Sequence, residues 1–261
     1  MASDPSKEQI SVGGAKIDFL KGGSGDPLVI LHGAGGNQGW LHYAQKLSEQ
    51  YTVYAPSHPG YHESDRPDWL ETIPDMACFY LWFLQEMGLE KIRLMGVSMG
   101  GWIAAEIAIM CPQILERLIL VGAAGIKPSE GQIEDIFLIT PEEVNDLLFH
   151  DPAQAPEWEQ LLGGTPSPED RLVAEINRET AVRLCWKPYM HDPRLTGLLA
   201  RVNTPSLIVW GEKDAIVPVR CGEEYHEALP NSTLKVIEEC GHWPHIEKRD
   251  IFLETATEFL K

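Results

Sequence analysis

The run Leu94-Met95-Gly96-Val97-Ser98-Met99-Gly100-Gly101 restricts the folds open to this chain more than any other stretch. Lys91-Ile92-Arg93-Leu94-Met95 before it suits a short buried strand, and Trp102 to Met110 after it is an unbroken helical run. Cys111-Pro112 ends that run, because proline cannot continue a helix. A strand that passes directly into a helix at Ser98 must bend sharply. The bend leaves no room for a Cβ two residues to either side, and Gly96 and Gly100 meet that need. Such a turn lifts the serine hydroxyl out of the fold and aims the Met99 N–H at whatever the hydroxyl attacks. The pattern predicts a nucleophilic serine, accompanied elsewhere by an acid, a histidine and an oxyanion site.

Signals on either side of the turn set the fold class. Ala15 to Leu20 reads as a strand, followed by the turn Gly22-Gly23-Ser24-Gly25-Asp26 and the apolar run Leu28-Val29-Ile30-Leu31. Tyr51 to Ala55 is a further strand. Asp75 to Met87 is a helix with Met76, Phe79, Tyr80, Phe83, Leu84 and Met87 on one stripe. Leu118 to Val121, Ser206 to Trp210 and Leu234 to Ile237 add three strands, and Ile251 to Leu260 closes the chain as an amphipathic helix. Short apolar runs alternating with helices imply an α/β fold whose mostly parallel sheet is covered on both faces. The rhythm breaks at Gly125. From Ile126 to about Ala200 there are only helical fragments led by proline: Pro141 to Phe149, Pro156 to Leu162 and Pro168 to Leu184. Residues 126–200 therefore read as a helical cap inserted in a core made of residues 1–125 and 201–261.

Composition narrows the partners. The net charge of −18, from 21 basic and 39 acidic residues, argues against nucleic acid and anionic membranes, since both require a basic face. The five cysteines (78, 111, 185, 221 and 240) are scattered and show no C-x-x-C, as in a reduced, cytoplasmic protein. Met1 to Glu8 lacks the apolar centre of a signal peptide, and no stretch approaches eighteen apolar residues. The expectation is a cytoplasmic protein, a monomer or small homo-oligomer, that acts on a small molecule without membrane or nucleic-acid partners.

Three further segments each follow a strand. His32-Gly33-Ala34-Gly35-Gly36 is a small-residue loop through which backbone N–H groups can approach an oxyanion, with Ala34 N–H the second donor beside Met99 N–H. A dinucleotide loop is excluded, because G-x-G-x-x-G would need glycine where Gln38 stands. Gly211-Glu212-Lys213-Asp214 offers Asp214 as the acid, with Glu212 as its rival. Cys240-Gly241-His242-Trp243-Pro244-His245 offers His242 as the general base, with His245 three residues on. H-x-x-H without a matching acid or cysteine cluster does not read as a metal site. Serine, acid and histidine, in that chain order, form a Ser-His-Asp arrangement. Trp186, Trp243 and Val217 are candidates for substrate contact.

With these residues in place, the chain resembles the α/β-hydrolase superfamily, in its lidded serine esterase-like branch. The resemblance spans nearly the whole length and rests on His32 to Gly36, Gly96 to Gly101, Gly211 to Asp214 and Gly241-His242-Trp243-Pro244-His245-Ile246-Glu247. It implies about eight strands with the cap inserted after the sixth, and no cofactor. The implied activity is that of a carboxylesterase acting on small to medium, largely apolar esters through an acyl-enzyme on Ser98. A lactonase or xenobiotic-ester hydrolase would use the same residues. Carbon–carbon bond hydrolases of ring-cleavage products resemble the chain at Ser98-Met99-Gly100-Gly101 and Gly241-His242-Trp243, but tend to have asparagine at the position of Val97 and proline at that of Gly36. A ligand receptor on the same fold is the non-enzymatic alternative. One loop departs from the family: where D-x-P-G-x-G-x-S is common, this chain has Ser57-His58-Pro59-Gly60-Tyr61-His62-Glu63-Ser64. A solvent-facing polar turn is expected there, the alternative being a bulkier, ionisable loop that narrows the pocket or shifts its pH profile, and Pro59-Gly60 prevents His58 and His62 from sharing a helical metal-binding face.

Overall fold

A computed structural model describes residues 4–261; Met1 to Ser3, part of the segment screened for a signal peptide, lie outside it. The sheet begins earlier than the apolar pattern predicts. Strand β1 (Ser6–Val12) pairs antiparallel with β2 (Ala15–Gly22) through the turn Gly13-Gly14, where φ is +57° and +88°. Glycine adopts such angles without penalty, which suits a two-residue hairpin. As an edge strand, β1 exposes most of its polar side chains, so alternation alone does not reveal it.

The remaining strands fall near their predicted runs, while the helices at 42–47, 195–199, 219–228 and 244–247 carry no prediction from the sequence. The elements that follow β2 are β3 (Pro27–Leu31), α1 (His42–Leu47), β4 (Thr52–Pro56), α2 (Ile73–Glu86), β5 (Ile92–Val97), α3 (Met99–Met110) and β6 (Leu115–Val121). After β6 comes a helical insertion holding α4 (Pro141–Leu148), α5 (Trp158–Leu162), α6 (Pro168–Cys185) and α7 (Leu195–Leu199). The chain then returns to the sheet with β7 (Ser206–Gly211), α8 (Val219–Ala228), β8 (Ser232–Ile237), α9 (Pro244–Glu247) and α10 (Arg249–Leu260). Strand order is β1-β2-β4-β3-β5-β6-β7-β8, parallel from β4 to β8 and antiparallel at the β1 end. This is an α/β-hydrolase arrangement.

Side chains divide between two cores by strand parity. Val29, Leu31, Leu94, Leu118, Leu120, Ile208 and Trp210 face α2, α3 and α8. Their neighbours Leu28, Ile30, Met95, Val97, Ile119, Val121, Leu207 and Val209 face α1 and α10. Helix α3 is buried from Met99 to Ala108, which explains why it is apolar on every side. The prolines of the insertion start its helices rather than break them. Pro141 and Pro168 each follow a capping residue, and Thr140 with Glu143 and Ser167 with Asp170 form reciprocal capping boxes.

One buried carboxylate joins the insertion to the core, and a second lies buried within α3. Glu247 Oε2 accepts from Gly241 N–H (2.7 Å) and His150 N–H (3.2 Å), while its Oε1 accepts from Asp151 N–H (2.7 Å). One side chain thus holds the end of α4 against the loop after β8. Glu106, the single charged residue of α3, accepts from Trp102 Nε1 (3.1 Å). Burial raises its pKa from the ordinary 4.5 to about 7, opposed by the Trp102 hydrogen bond and reinforced by neighbouring Asp192. Asp192 in turn is held by Arg194 (2.6 Å).

Glu247→Gln keeps the volume of the side chain but places an amide N–H against backbone donors. It is expected to cost about 2 kcal/mol in urea unfolding, in line with hydrogen bonds to a charged acceptor. An unchanged midpoint would show that Glu247 does not hold the two segments. For Glu106, the unfolded chain releases its proton near pH 4.5 and the folded chain near 7, so stability falls across that window as pH rises. Glu106→Gln is therefore expected to stabilise the protein by about 3 kcal/mol at pH 8 and far less at pH 4.5. Thermal unfolding at the two pH values measures the difference.

Candidate active site

Ser98 joins β5 to α3 with φ +53° and ψ −117°, a left-handed conformation that a non-glycine residue adopts only under constraint. Its N–H donates to Val121 C=O (2.8 Å), and its own C=O accepts from Gly101 (2.9 Å) and Ala124 (3.1 Å). The glycines around it are obligatory. A Cβ on Gly96 would lie 2.2 Å from Gly100 C=O, and one on Gly100 would lie 2.3 Å from Leu31 C=O. The second clash shows how closely the helix start packs on the end of β3, which brings the loop after β3 to the serine. A Cβ added to Gly33 would meet Ser98 Cβ at 3.3 Å. Among the described residues, neither Ala34 N–H nor Met99 N–H has a protein acceptor.

Asp214 and His242 meet on loops pinned to each other. Lys213 N–H donates to Cys240 C=O (2.8 Å), and a Cβ on Gly211 would lie 2.0 Å from Gly241 C=O. His242 Nδ1 is 2.7 Å from Asp214 Oδ2, with both side chains almost wholly buried. Asp214 Oδ1 accepts from Ile216 and Val217 N–H, both at 2.9 Å, so the carboxylate is oriented on two sides. A carboxylate on Nδ1 fixes the proton there and leaves Nε2 as the basic nitrogen. The imidazole lies over Gly122, whose added Cβ would fall 3.2 Å from His242 Nδ1. Gly122 follows Val121, the residue bonded to Ser98 N–H, so the ring and the serine flank the same β6 end.

The rival residues lie elsewhere. Glu212 is half exposed and 3.5 Å from Lys213. His245 is buried against Tyr43 and Phe252, and burial together with nearby His242 lowers its pKa to about 3. Burial pushes the Cys240 thiol above its usual range, which leaves it protonated and inert.

The loop after β4 is not the solvent-facing turn expected from its polarity. His58 is fully buried; its Nε2 lies 2.8 Å from His32 C=O, and its Nδ1 lies 2.5 Å from the Tyr80 hydroxyl. His58 N–H donates to His32 Nε2 (3.0 Å), while His32 Nδ1 lies 2.8 Å from Gly33 C=O. These partners assign one tautomer to each ring, both neutral, and burial lowers both pKa values, that of His58 to about 3. The pair thus cross-braces the start of the loop after β3. His62, also expected in solvent, is half-buried and accepts from Asn37 N–H (3.0 Å). The polar sequence misled because each ring finds backbone partners inside the fold.

The substrate-contact candidates scatter. Val217 is buried, its N–H serves Asp214, and its C=O accepts from Trp210 Nε1 (2.9 Å). Trp243 follows His242 and packs edge-on against Phe149 of the insertion at 5.6 Å. Trp186 is half exposed and lines a groove of about 720 Å³ with Trp102, Lys187 and Arg194, apart from Ser98, Asp214 and His242. Two residues that sequence reasoning left without a role also touch these loops, namely Glu247 and Asn177. Glu247 stands in the motif after His242, whereas nothing in the sequence singles out Asn177. Among the described residues, no cluster of three His, Cys, Asp or Glu could hold a metal, and no helix is long and apolar enough to cross a membrane.

Comparison with known proteins identifies the family and the fold. The 2-hydroxy-6-oxo-6-phenylhexa-2,4-dienoate hydrolase of Comamonas testosteroni is 28% identical, over 94% of this chain and 91% of its own. The solved structure of an enzyme of the same name from Rhodococcus sp. strain RHA1 has a TM-score of 0.81 at 20% identity, over 100% of this chain and 99% of that one. A membrane phospholipase A, described as a bacterial virulence factor, has a TM-score of 0.80 at 25% identity, over 98% and 86% of the two chains. The model of the alpha/beta hydrolase family matches residues 28–255, and the chain belongs to that family.

Proposed function

We propose that the protein is a serine hydrolase that cleaves a carbon–carbon bond next to a ketone in a conjugated ring-cleavage product. Ser98 is the nucleophile, His242 the base, and Asp214 the residue that orients it. Ala34 and Met99 N–H groups receive the oxyanion. The observation that carries the triad is the 2.7 Å contact between His242 and Asp214, set beside an unusually constrained serine. The substrate class is supported by the full-length similarity to a 2-hydroxy-6-oxo-6-phenylhexa-2,4-dienoate hydrolase, and it displaces simple ester cleavage as the leading reading.

The chemistry follows from the substrate class. A dienol that first ketonises becomes a diketone, and the bond to be cut then joins a carbonyl carbon to a carbon that can carry charge as an extended enolate. His242 takes the Ser98 proton as Oγ attacks that carbonyl. The oxyanion sits between Ala34 and Met99 N–H until the C–C bond breaks, and the proton held by His242 passes to the departing carbon. Water, activated by the same imidazole, then releases the acyl group from Ser98 as a carboxylic acid. Loss of one oxyanion donor typically lowers kcat by about 100-fold or more.

Ester cleavage is the second reading. Similarity to a phospholipase A structure favours it, as do Val97 and Gly36, which stand where ring-cleavage hydrolases tend to have asparagine and proline. An ester needs the same attack but delivers the proton to oxygen.

A turnover panel of vinylogous diketones, short and long acyl esters and lactones separates the two. Diketone turnover, seen as bleaching of the dienol chromophore, is expected to exceed ester turnover in kcat/KM. Ester turnover with inert diketones would overturn the first reading in favour of the second. Ser98→Ala is expected to abolish turnover and covalent labelling by a fluorophosphonate. Labelling at full stoichiometry in that variant would remove Ser98 as the nucleophile.

A further inference from the structure

Helix α6 of the insertion reaches back to both loops that flank Ser98. Asn177, almost wholly buried, accepts at Oδ1 from His62 N–H (3.1 Å) and donates from Nδ2 to Gly35 C=O (3.2 Å). Thr180, three residues on, donates to Gly60 C=O (2.9 Å). His62 Nε2 then accepts from Asn37 N–H (3.0 Å). Both side chains converge on Gly36, whose φ is +102°. A Cβ there would lie 2.4 Å from Asn177 Nδ2 and 2.7 Å from His62 Nε2. The segment Gly35-Gly36-Asn37 is therefore gripped from the insertion and from the loop after β4 at once, immediately beyond Ala34.

His62 occupies the position where the family commonly has glycine, and it keeps a glycine-like φ of +51°. A histidine in that conformation is strained, and it persists only where surrounding contacts compensate. Here the compensation is the pair of bonds from His62 N–H to Asn177 and from Asn37 N–H to its ring.

We propose that His62 and Asn177 are positioning residues that fix the Gly35–Asn37 segment, and through it Ala34 N–H, beside Ser98. The oxyanion site is then complete only while α6 is docked and the His62 ring can accept a hydrogen bond. This rests on the reading of Ala34 as an oxyanion donor. The device is sensitive to acid, because a protonated ring carries a hydrogen on Nε2 and faces Asn37 N–H donor to donor. The charged groups near the ring are Lys7 on β1, Asp18 on β2 and Glu63 on its own loop, with the His32 and His58 rings behind. Burial lowers the His62 pKa below 6.5 and Lys7 lowers it further, while Glu63 and Asp18 oppose. The ring is therefore neutral at pH 7, and the clamp opens as pH falls below that lowered value.

Three variants test the proposal. His62→Gly fits the backbone angle but removes the acceptor, His62→Gln supplies an amide oxygen near the former Nε2, and Asn177→Ala removes the other arm. His62→Gly and Asn177→Ala are expected to lower kcat by about 10- to 100-fold with little change in KM, and His62→Gln to recover most of the loss. The acid limb of kcat is expected to steepen towards a two-proton slope in the wild type and to keep a one-proton slope in His62→Gln. Hydrogen exchange of residues 33–40 supplies a measure that needs no substrate: faster in His62→Gly and Asn177→Ala, restored in His62→Gln. Unchanged exchange in both loss variants would overturn the clamp, and faster exchange with unchanged kcat would overturn its positioning role. If the wild type turns over nothing in the panel, the rate of fluorophosphonate labelling replaces kcat. Should Ser98 not label at all, the proposed function fails, and the exchange measurement alone decides the clamp.

Discussion

The backbone of Ser98 is the constraint on which the rest of the site depends. A left-handed residue between a strand and a helix costs on the order of 1–3 kcal/mol, and Ser98 has no side-chain cap to offset it. Instead its N–H is bonded to Val121 at the end of β6, and its C=O gathers N–H groups from Gly101 and Ala124. The strain is thus held by two neighbouring strand ends and one helix start. Each of these is locked by close contacts that only glycine permits, at Gly96, Gly100 and Gly101. Because α3 starts directly at Met99, one of its orphan N–H groups lies beside the hydroxyl as a geometric consequence of the turn.

Around that turn, the loops are held by side-chain acceptors as well as by packing. Asp214 serves two backbone N–H groups as well as His242. Glu247 serves three N–H groups across the insertion boundary, and His32 and His62 each accept one. Loops at strand ends carry unpaired backbone donors that would be costly to bury. Satisfying them from side chains of other loops makes the positions of the loops interdependent. Neutral histidine suits this task because it accepts at one nitrogen while donating at the other.

The sequence made the strand–turn–helix unit legible because its requirements are local: small residues at fixed offsets and apolar runs on each side. Asp214 and His242 were legible for a related reason, since each leaves a strand through a short glycine-bearing turn. Their preference over Glu212 and His245 depends on burial, which spacing does not encode. Strand β1 escaped detection because an edge strand need not alternate strongly. From sequence alone His58 and His62 read as solvent residues, because the groups that satisfy them are distant in the chain: Tyr80 is 22 residues from His58, and Asn177 is 115 residues from His62. Asn177 carries no signal at all, because a polar residue within a helix acquires a role only from what the tertiary fold places opposite it.

The same reasoning bears on the two departures from ring-cleavage hydrolases. Gly36 has φ +102°, which proline, fixed near −65°, cannot adopt. Proline at that point would also remove the Gly36 N–H that closes the turn onto Gly33 C=O (3.2 Å). The loop here therefore follows a different backbone path, and its stiffness must come from another source. A proline stiffens a loop by removing unfolded conformations, whereas His62 and Asn177 stiffen it by bonds that exist only in the folded, docked state. Val97 belongs with Met95 and Val121 to the core beneath α1 and α10, where an unpartnered asparagine would be costly. The two residues thus act differently: Val97 makes the floor of the turn apolar, while Gly36 lets Asn177 of the insertion approach the loop after β3 closely.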